Sequence, residues 1–520
     1  MDADLLVTFL SFDYKASLAC LDIKAYRWRT ALMPISFYVL RGTFWKAMDK
    51  EHLELELGQP DPSISRPYPS VILWLTSKQN PCKVFPPGNR CLPLIGETLS
   101  FFKPHPANSM GGFMEDHISR YGKIFSSNLL GRDAIVSADA ELNRFVQNKD
   151  VRLFSSPLLP TFRGIFGGES LAFAAGETHK RLRSTYFDFL SMKRLKTIFS
   201  EDANHLASGI VRSWRDGSII SAKEESTKYS LKIMAKSTLS IEDDYRIELL
   251  LRDYSHVISA LCSVPINFPG MKYWKALKSR RNVLEIVKKI MEERITLMSK
   301  GGEGRAENCH KIEGREDDYD LLDLLLMKKT EYSDEAIHDF IFGSLFAGHD
   351  STSRAIAFML YLLADSPEVV RRLQEEHLQI VNSKSKLELK LSWDDYRNME
   401  FTKSVINETL RLSNVAPFIP KKAIEDVKYK GIVIPRGDLV IVHIRALHLD
   451  PSIYDDPMQF NPWSWMLWVT LGCCLCAGVK ISYLISLRSF VLLVAKSERE
   501  VDGLREERRI FGLLQVIFSL

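Results

Sequence analysis

From about residue 140 to 410, apolar side chains return at intervals of three and four, the period of helices with one buried face. Two stretches break that rhythm. "AIVSADA" (134–140) has strand character, and "VKYKGIVIPRGDLVIVHI" (427–444) alternates between Gly431, Pro435 and Gly437. The second pattern predicts short strands joined by turns. Ser333 is a helix cap, with Asp334 and Glu335 in the first turn where the helix dipole favours them, and that helix should run to about Ala364. Ser366 caps the next helix, with Pro367 at its first position. Ser392 with Asp395 resembles a capping box at the start of a third. Residues 1–84 show no clear period. Within them "GQPDPSISRPYPS" (58–70) reads as a linker. "FPPGNRCLPLIGE" (85–97) reads as the rigid start of a new domain, and "KGGEGRAENCHKIEGREDD" (300–318) as a polar surface loop. No repeats are visible, so a mainly α fold with a small β portion is expected.

Composition narrows the class. With 46% hydrophobic and 26% charged residues the chain is globular rather than disordered. Its 69 basic and 65 acidic residues nearly balance, which gives no reason to expect a nucleic-acid partner. Cys20, Cys82, Cys91, Cys262 and Cys309 are scattered singly, so a secreted disulfide framework is not expected. No signal peptide is evident. "ALMPISFYVLRGTFW" (31–45) is too short to span a bilayer, and Lys480 and Arg488 make Met466 to Ala495 a poor span.

Four constellations could carry chemistry. In "FAGHDSTS" (346–353), Gly348 and the hydroxyl residues should loosen the middle of a long helix, and Asp350 beside Ser351 and Thr352 would make a proton-delivery group. On those residues alone, a kink kept for packing is the plainer reading. Glu408 and Arg411 share a helix face, and if buried the pair could hold a loop's backbone. His179 and Arg183, at i and i+4, can grip a carboxylate or phosphate, although for the pair standing alone a solvated basic face is the favoured reading. "CCLC" (473–476) offers three thiols, one fewer than a closed zinc site needs. A single thiolate followed by Ala-Gly suits haem iron, with Gly472 and Gly478 admitting a flat macrocycle.

The motifs stand in the order PPG, HxxxR, AGxDS, ExxR, FNPW, LCAG. That order resembles the cytochrome P450 family of haem-thiolate monooxygenases, from about Pro86 to Gly478. The wording between motifs, such as "LSWDDYRNMEFTKSVINETLRLSN", is similar to plant brassinosteroid hydroxylases, most of all the steroid C-22 hydroxylase group. The resemblance implies a cytochrome P450 fold with a haem-thiolate domain over 85–478, an atypical segment before it and an atypical tail over 479–520. It implies Cys476 as the proximal ligand of haem b iron, and His179 and Arg183 as partners of the haem propionates. Gly348, Asp350 and Ser351 would form the oxygen-binding groove and deliver protons, and Glu408 and Arg411 would brace the proximal side. Phe342, Phe346, Val415, Ala416 and Phe418 are candidates for an apolar pocket, each equally readable as core. The reaction implied is hydroxylation of a plant sterol side chain with O2, in brassinosteroid biosynthesis. Electrons would come from NADPH through NADPH-cytochrome P450 reductase, at the surface of the endoplasmic reticulum membrane. Alternatives are a monooxygenase of another plant steroid or triterpenoid, and a descendant that holds haem poorly. A helical membrane-associated interaction protein is a third reading, against which the order of motifs argues.

The chain also departs from the family's pattern. Ser351 replaces a threonine and keeps its hydroxyl. Ser464 in "FNPWSW" stands where an arginine is usual, so the Glu408–Arg411 brace is expected to lack its third member, with unmet bonds costing a few kcal/mol, on the order of those of other broken buried pairs. Only Met466 to Val469 link Trp465 to "TLGCC", Val469 replaces an aromatic residue, and Cys474 replaces a propionate-binding arginine. The sequence after Gly478 and the first 84 residues do not follow the family. The fold is therefore expected to be incomplete at its C-terminal end, and both ends altered relative to a working enzyme, as a misread or decayed gene would produce.

Overall fold

A computed structural model of the protein describes residues 84–467, apart from 90–95, 104, 106–108, 130, 149–151, 158–159, 175, 195–198, 215–219, 262, 264, 301–318, 384–392 and 414. Besides the short helices Thr98–Phe101 and Met192–Arg194, the helices are α1 (Gly112–Tyr121), α2 (Ala140–Asn148), α3 (Pro160–Phe166), α4 (Gly176–Phe189), α5 (Ser200–Ser213), α6 (Ala222–Leu239), α7 (Asp244–Ala260) and α8 (Lys272–Lys300). They continue with α9 (Leu321–Met327), α10 (Asp334–Ala364), α11 (Pro367–Asn382), α12 (Trp393–Asn398), α13 (Glu400–Ser413), α14 (Ile444–His448) and α15 (Ser464–Leu467). The strands are β1 (Ile124–Leu129), β2 (Arg132–Ser137), β3 (Phe154–Ser155), β4 (Phe418–Ala423), β5 (Val427–Tyr429), β6 (Ile432–Ile434) and β7 (Leu439–His443). The fold is mainly helical with a small sheet portion, as the periodicity predicts.

The helix starts are set by local chemistry. Ser333 accepts the amide of Ala336 at 3.1 Å, and α10 then runs to Ala364, the bounds read from the sequence. Asp320 and Asp323 form a reciprocal capping box at α9. Lys300, read as the start of a polar loop, ends α8, and the rest of that loop (301–318), the cap expected at Ser392 and the linker 58–70 lie outside the described residues.

Five strands form one sheet in the order β1-β2-β7-β4-β3, and β5 and β6 pair as a separate hairpin. Within this sheet the described strands β2 and β7 pair in parallel, in register from Ala134 opposite Leu439 to Ser137 opposite Val442. β7 is buried along its whole length because both faces are covered. Leu439 and Ile441 join a cluster with Phe113, Met114 and Phe125 on one side. Val440 and Val442 join Ile135, Leu142 and Phe154 on the other. Successive strand residues point to opposite faces, so the unbroken apolar run "LVIV" serves two cores.

The largest core belongs to the helices, with α10 as its axis and Ile337, Phe340, Ile341 and Phe342 fully or almost fully buried. α6 lies closely along α10. α13 packs on the same helix, which places the Glu408 region beneath it.

Candidate functional site

The middle of α10 differs from the rest of the helix. Most of its residues are buried, yet Gly343, Ala347 and Ser351, spaced by four, form a partly open stripe, and Ala347 is exposed. None of the three carries a side chain larger than a hydroxymethyl group, so this face is flat. Phe346 borders it, half-buried. The helix runs unbroken through this region. The hydroxyls act by bonding back: Ser351 Oγ donates to the Ala347 carbonyl at 2.9 Å, and Ser353 Oγ to that of Asp350 at 3.0 Å.

Gly348 has a packing role that the sequence does not reveal. A Cβ there would lie 2.4 Å from Met234 Sδ on α6, so the missing side chain is what lets the two helices approach. Gly348→Ala is expected to lower stability by about 1 kcal/mol, the low end for overpacking because methionine can shift. Met234→Ala should reduce that cost, and urea titration of the double-mutant cycle measures it.

Asp350 is engaged by its own helix. Arg354 donates Nε to Oδ1 at 3.1 Å and contacts Oδ2 through Nη2 at 2.9 Å. Any proton the carboxyl handles must pass while it leaves or shares this arginine. His349 points inward, with Nδ1 on the Leu345 carbonyl at 2.8 Å and its ring 5.0 Å from that of Tyr254. Burial pushes its pKa down.

On α4, Leu182, Thr185 and Phe189 are buried. Tyr186 meets Phe340 of α10 edge-on at 5.9 Å, and Thr185 Oγ1 bonds the Tyr332 hydroxyl at 2.8 Å. The stripe His179, Arg183, Phe187 is more open, and the Arg183 guanidinium lies 5.4 Å from the Phe187 ring centre. Among the described residues no carboxylate pairs with His179 or Arg183. The small-residue face on α10 and, on α4, an imidazole and a guanidinium with no carboxylate partner among the described residues suit a planar macrocycle that bears two carboxylates, such as haem. When bound, haem supplies the oxygen-activating chemistry; His179 and Arg183 would hold its propionates. Cys476, with Cys473, Cys474 and the rest of that loop, lies outside the described residues.

The pocket candidates separate by placement. Phe342 is fully buried, its ring 5.3 Å from Tyr254 and 5.8 Å from Phe166, so it presents no free surface and packs as core. Phe346 meets Phe166 at 4.9 Å beside the open stripe. Val415 is half-buried and Ala416 exposed, just before β4. Phe418 opens β4 and packs on Phe101 at 5.1 Å.

The brace corrects the sequence expectation. Glu408 and Arg411 are almost fully buried and form a two-point pair, with both bonds at 2.8 Å. Arg411 also donates to the carbonyls of His448 at 2.8 Å, of Gln459 at 3.1 Å and of Pro457 at 2.5 Å. The place left by the absent arginine at 464 is filled by the next residue. Trp465 Nε1 donates to Glu408 Oε2 at 2.7 Å, and the Asn461 amide donates to Oε1 at 2.9 Å. Ser464 turns to the Asn461 carbonyl at 2.7 Å. The pair is therefore not left with unmet bonds. The indole of "FNPWSW" was the available signal.

Sequence reasoning also missed His443, at the end of β7. Its Nδ1 accepts the amide of Ala446 at 3.1 Å and so caps α14, which requires the neutral ring. Burial, with Arg445 nearby, pushes its pKa from 6.5 down to about 3, and burial beside Arg411 pushes that of His448 down to about 4. The unfolded chain takes up protons here that the folded chain refuses. Stability from these groups is complete above about pH 6.5 and declines as pH falls toward their folded values. The urea midpoint should drop between about pH 7 and pH 5, and His443→Gln should flatten that slope.

Comparison with known proteins agrees with this architecture. The family profile "Cytochrome P450" matches residues 86–466. The chain is 44% identical over 399 residues to "Cholesterol 22-monohydroxylase CYP90B52" of Paris polyphylla, covering 76% of this chain and 81% of that protein. It is 40% identical over 382 residues to "Steroid (22S)-hydroxylase" of Oryza sativa subsp. indica, covering 73% of each. Among solved structures, "Retinoic acid bound cyanobacterial CYP120A1" matches with a TM-score of 0.62 and 22% identity, over 84% of this chain and 91% of that one. The chain belongs to the cytochrome P450 family of monooxygenases.

Proposed function

We propose that the protein is a haem-thiolate monooxygenase that hydroxylates the side chain of a plant sterol at C-22, in brassinosteroid or related steroid metabolism. The observation that carries this reading is the 44% identity to a cholesterol 22-monohydroxylase across three quarters of the chain. The site supports it chemically. An open, small-residue face on α10, bordered by Phe346 and Phe166, suits a flat apolar substrate, which gains about 25 cal/mol for each Å² of apolar surface removed from water. In this reading His179 and Arg183 hold the haem propionates, and Cys476 ligates the iron. Ser351 and Asp350 handle protons at the α10 groove, Asp350 releasing Arg354 as it does so. Haem b is the cofactor, O2 the co-substrate, and electrons arrive from NADPH through NADPH-cytochrome P450 reductase. The same reading assigns the protein to the surface of the endoplasmic reticulum membrane. Among the described residues no helix is long and apolar enough to cross a membrane.

The test is turnover of cholesterol and campesterol by the full chain with NADPH-cytochrome P450 reductase and NADPH, followed by mass spectrometry. A 22-hydroxylated product is expected. Product hydroxylated elsewhere on the steroid would move the assignment to another steroid position, and no hydroxylated product from either sterol would overturn the reading.

A further inference from the structure

Helix α3 has seven residues, yet it is fixed at its start, middle and end. Thr161 Oγ1 donates to the Ser263 carbonyl at 3.0 Å. Gly164 lies against Tyr273 of α8, where a Cβ would stand 1.9 Å from the hydroxyl. At the end of the helix, Arg280 of α8 reaches two partners: Nη1 donates to the Ile165 carbonyl at 2.9 Å and Nη2 to Oδ1 of Asp339, on α10, at 2.6 Å. Asp339 Oδ2 accepts the Glu169 amide at 3.1 Å. Gly167, at φ +84°, permits this approach, since a Cβ would lie 1.9 Å from that oxygen.

Asp339 is buried and Arg280 largely so. A buried ion pair seldom adds stability beyond what apolar residues of the same volume give, because desolvation offsets the attraction. What this one does is fix a geometry. Phe162 and Phe166 stack at 5.9 Å, and Phe166 meets Phe346, next to the open stripe of α10. The three rings form an aromatic wall beside the face assigned to the substrate.

We propose that Arg280 and Asp339 are positioning residues for the sterol: as a clamp from α8 and α10 they hold α3, and through Phe162 and Phe166 they set the shape of the pocket wall. The proposal rests on the sterol reading above. The test uses the full-length protein, equilibrium binding of radiolabelled cholesterol and campesterol, and hydrogen–deuterium exchange. The paired variant R280M/D339L removes both charges together, and Thr161→Val loosens the helix from its other end should the paired variant fail to fold. Each is expected to speed exchange of amides 161–169 by about tenfold while α13 stays unchanged, and to raise the Kd for cholesterol by about tenfold. Adding Phe166→Ala to the paired variant should weaken binding much less than it does in the wild type, because the wall is already displaced. Unchanged exchange at 161–169 overturns the clamp. Faster exchange with an unchanged Kd overturns its role in substrate binding, even if the melting temperature falls. Failure of the wild type to bind either cholesterol or campesterol overturns the sterol reading, while the exchange result still decides whether the clamp holds α3.

Discussion

Arg411→Leu is expected to destabilise the protein by about 3–5 kcal/mol, the cost of stripping a buried charge of its partner. The Glu408 carboxylate, 1% exposed, would lose its bidentate partner. The carbonyls of His448, Pro457 and Gln459 would lose a donor at the same time. Those carbonyls belong to the segment that leads from α14 toward α15, so the damage should be local as well as global. Urea unfolding followed by circular dichroism measures the first effect, and amide exchange over 448–461 the second. A loss below about 1 kcal/mol would mean that the pair behaves like an exposed one.

Trp465→Phe is expected to cost about 2–3 kcal/mol, because a buried carboxylate loses one donor and the ring that replaces it cannot supply another. Trp465→Leu should cost somewhat more through lost packing. A phenylalanine variant as stable as the wild type would show that the indole nitrogen is incidental, and would return the brace to the two-member state expected from Ser464. The measurement is the shift in urea midpoint at unchanged m-value.

These two residues mark where the sequence could and could not be read. Helices with a clear cap and period were legible: Ser333 begins α10 and Ala364 ends it. The strands of 427–444 were legible because Gly431, Pro435 and Gly437 punctuate them. β1 was not, since "IFSSNL" carries buried Ser126, Ser127 and Asn128. The two serine hydroxyls are satisfied tertiarily, Ser126 by the Pro86 carbonyl and Ser127 by Glu97, and such partners lie 40 and 30 residues away. β4, "FIPKKA", shows no alternation of apolar and polar residues, and in the fold most of it is only half-buried.

The site follows the same division. Glu408 and Arg411 were legible as a pair because they sit three apart, but their carbonyl partners and Trp465 are set by how the later chain folds over them. Gly348 was legible as a special position and misleading as to cause, since its neighbour Met234 lies on another helix. Arg280 and Asp339, 59 residues apart, left no local trace at all.

In the proposed function the chain holds haem through the Cys476 thiolate. The most direct test is the absorption spectrum of the reduced full-length protein under carbon monoxide, for wild type and Cys476→Ser. The account predicts the red-shifted Soret band of thiolate-ligated haem in the wild type and its loss in the variant. A variant that keeps that band, or a wild type that never shows it, would contradict the account.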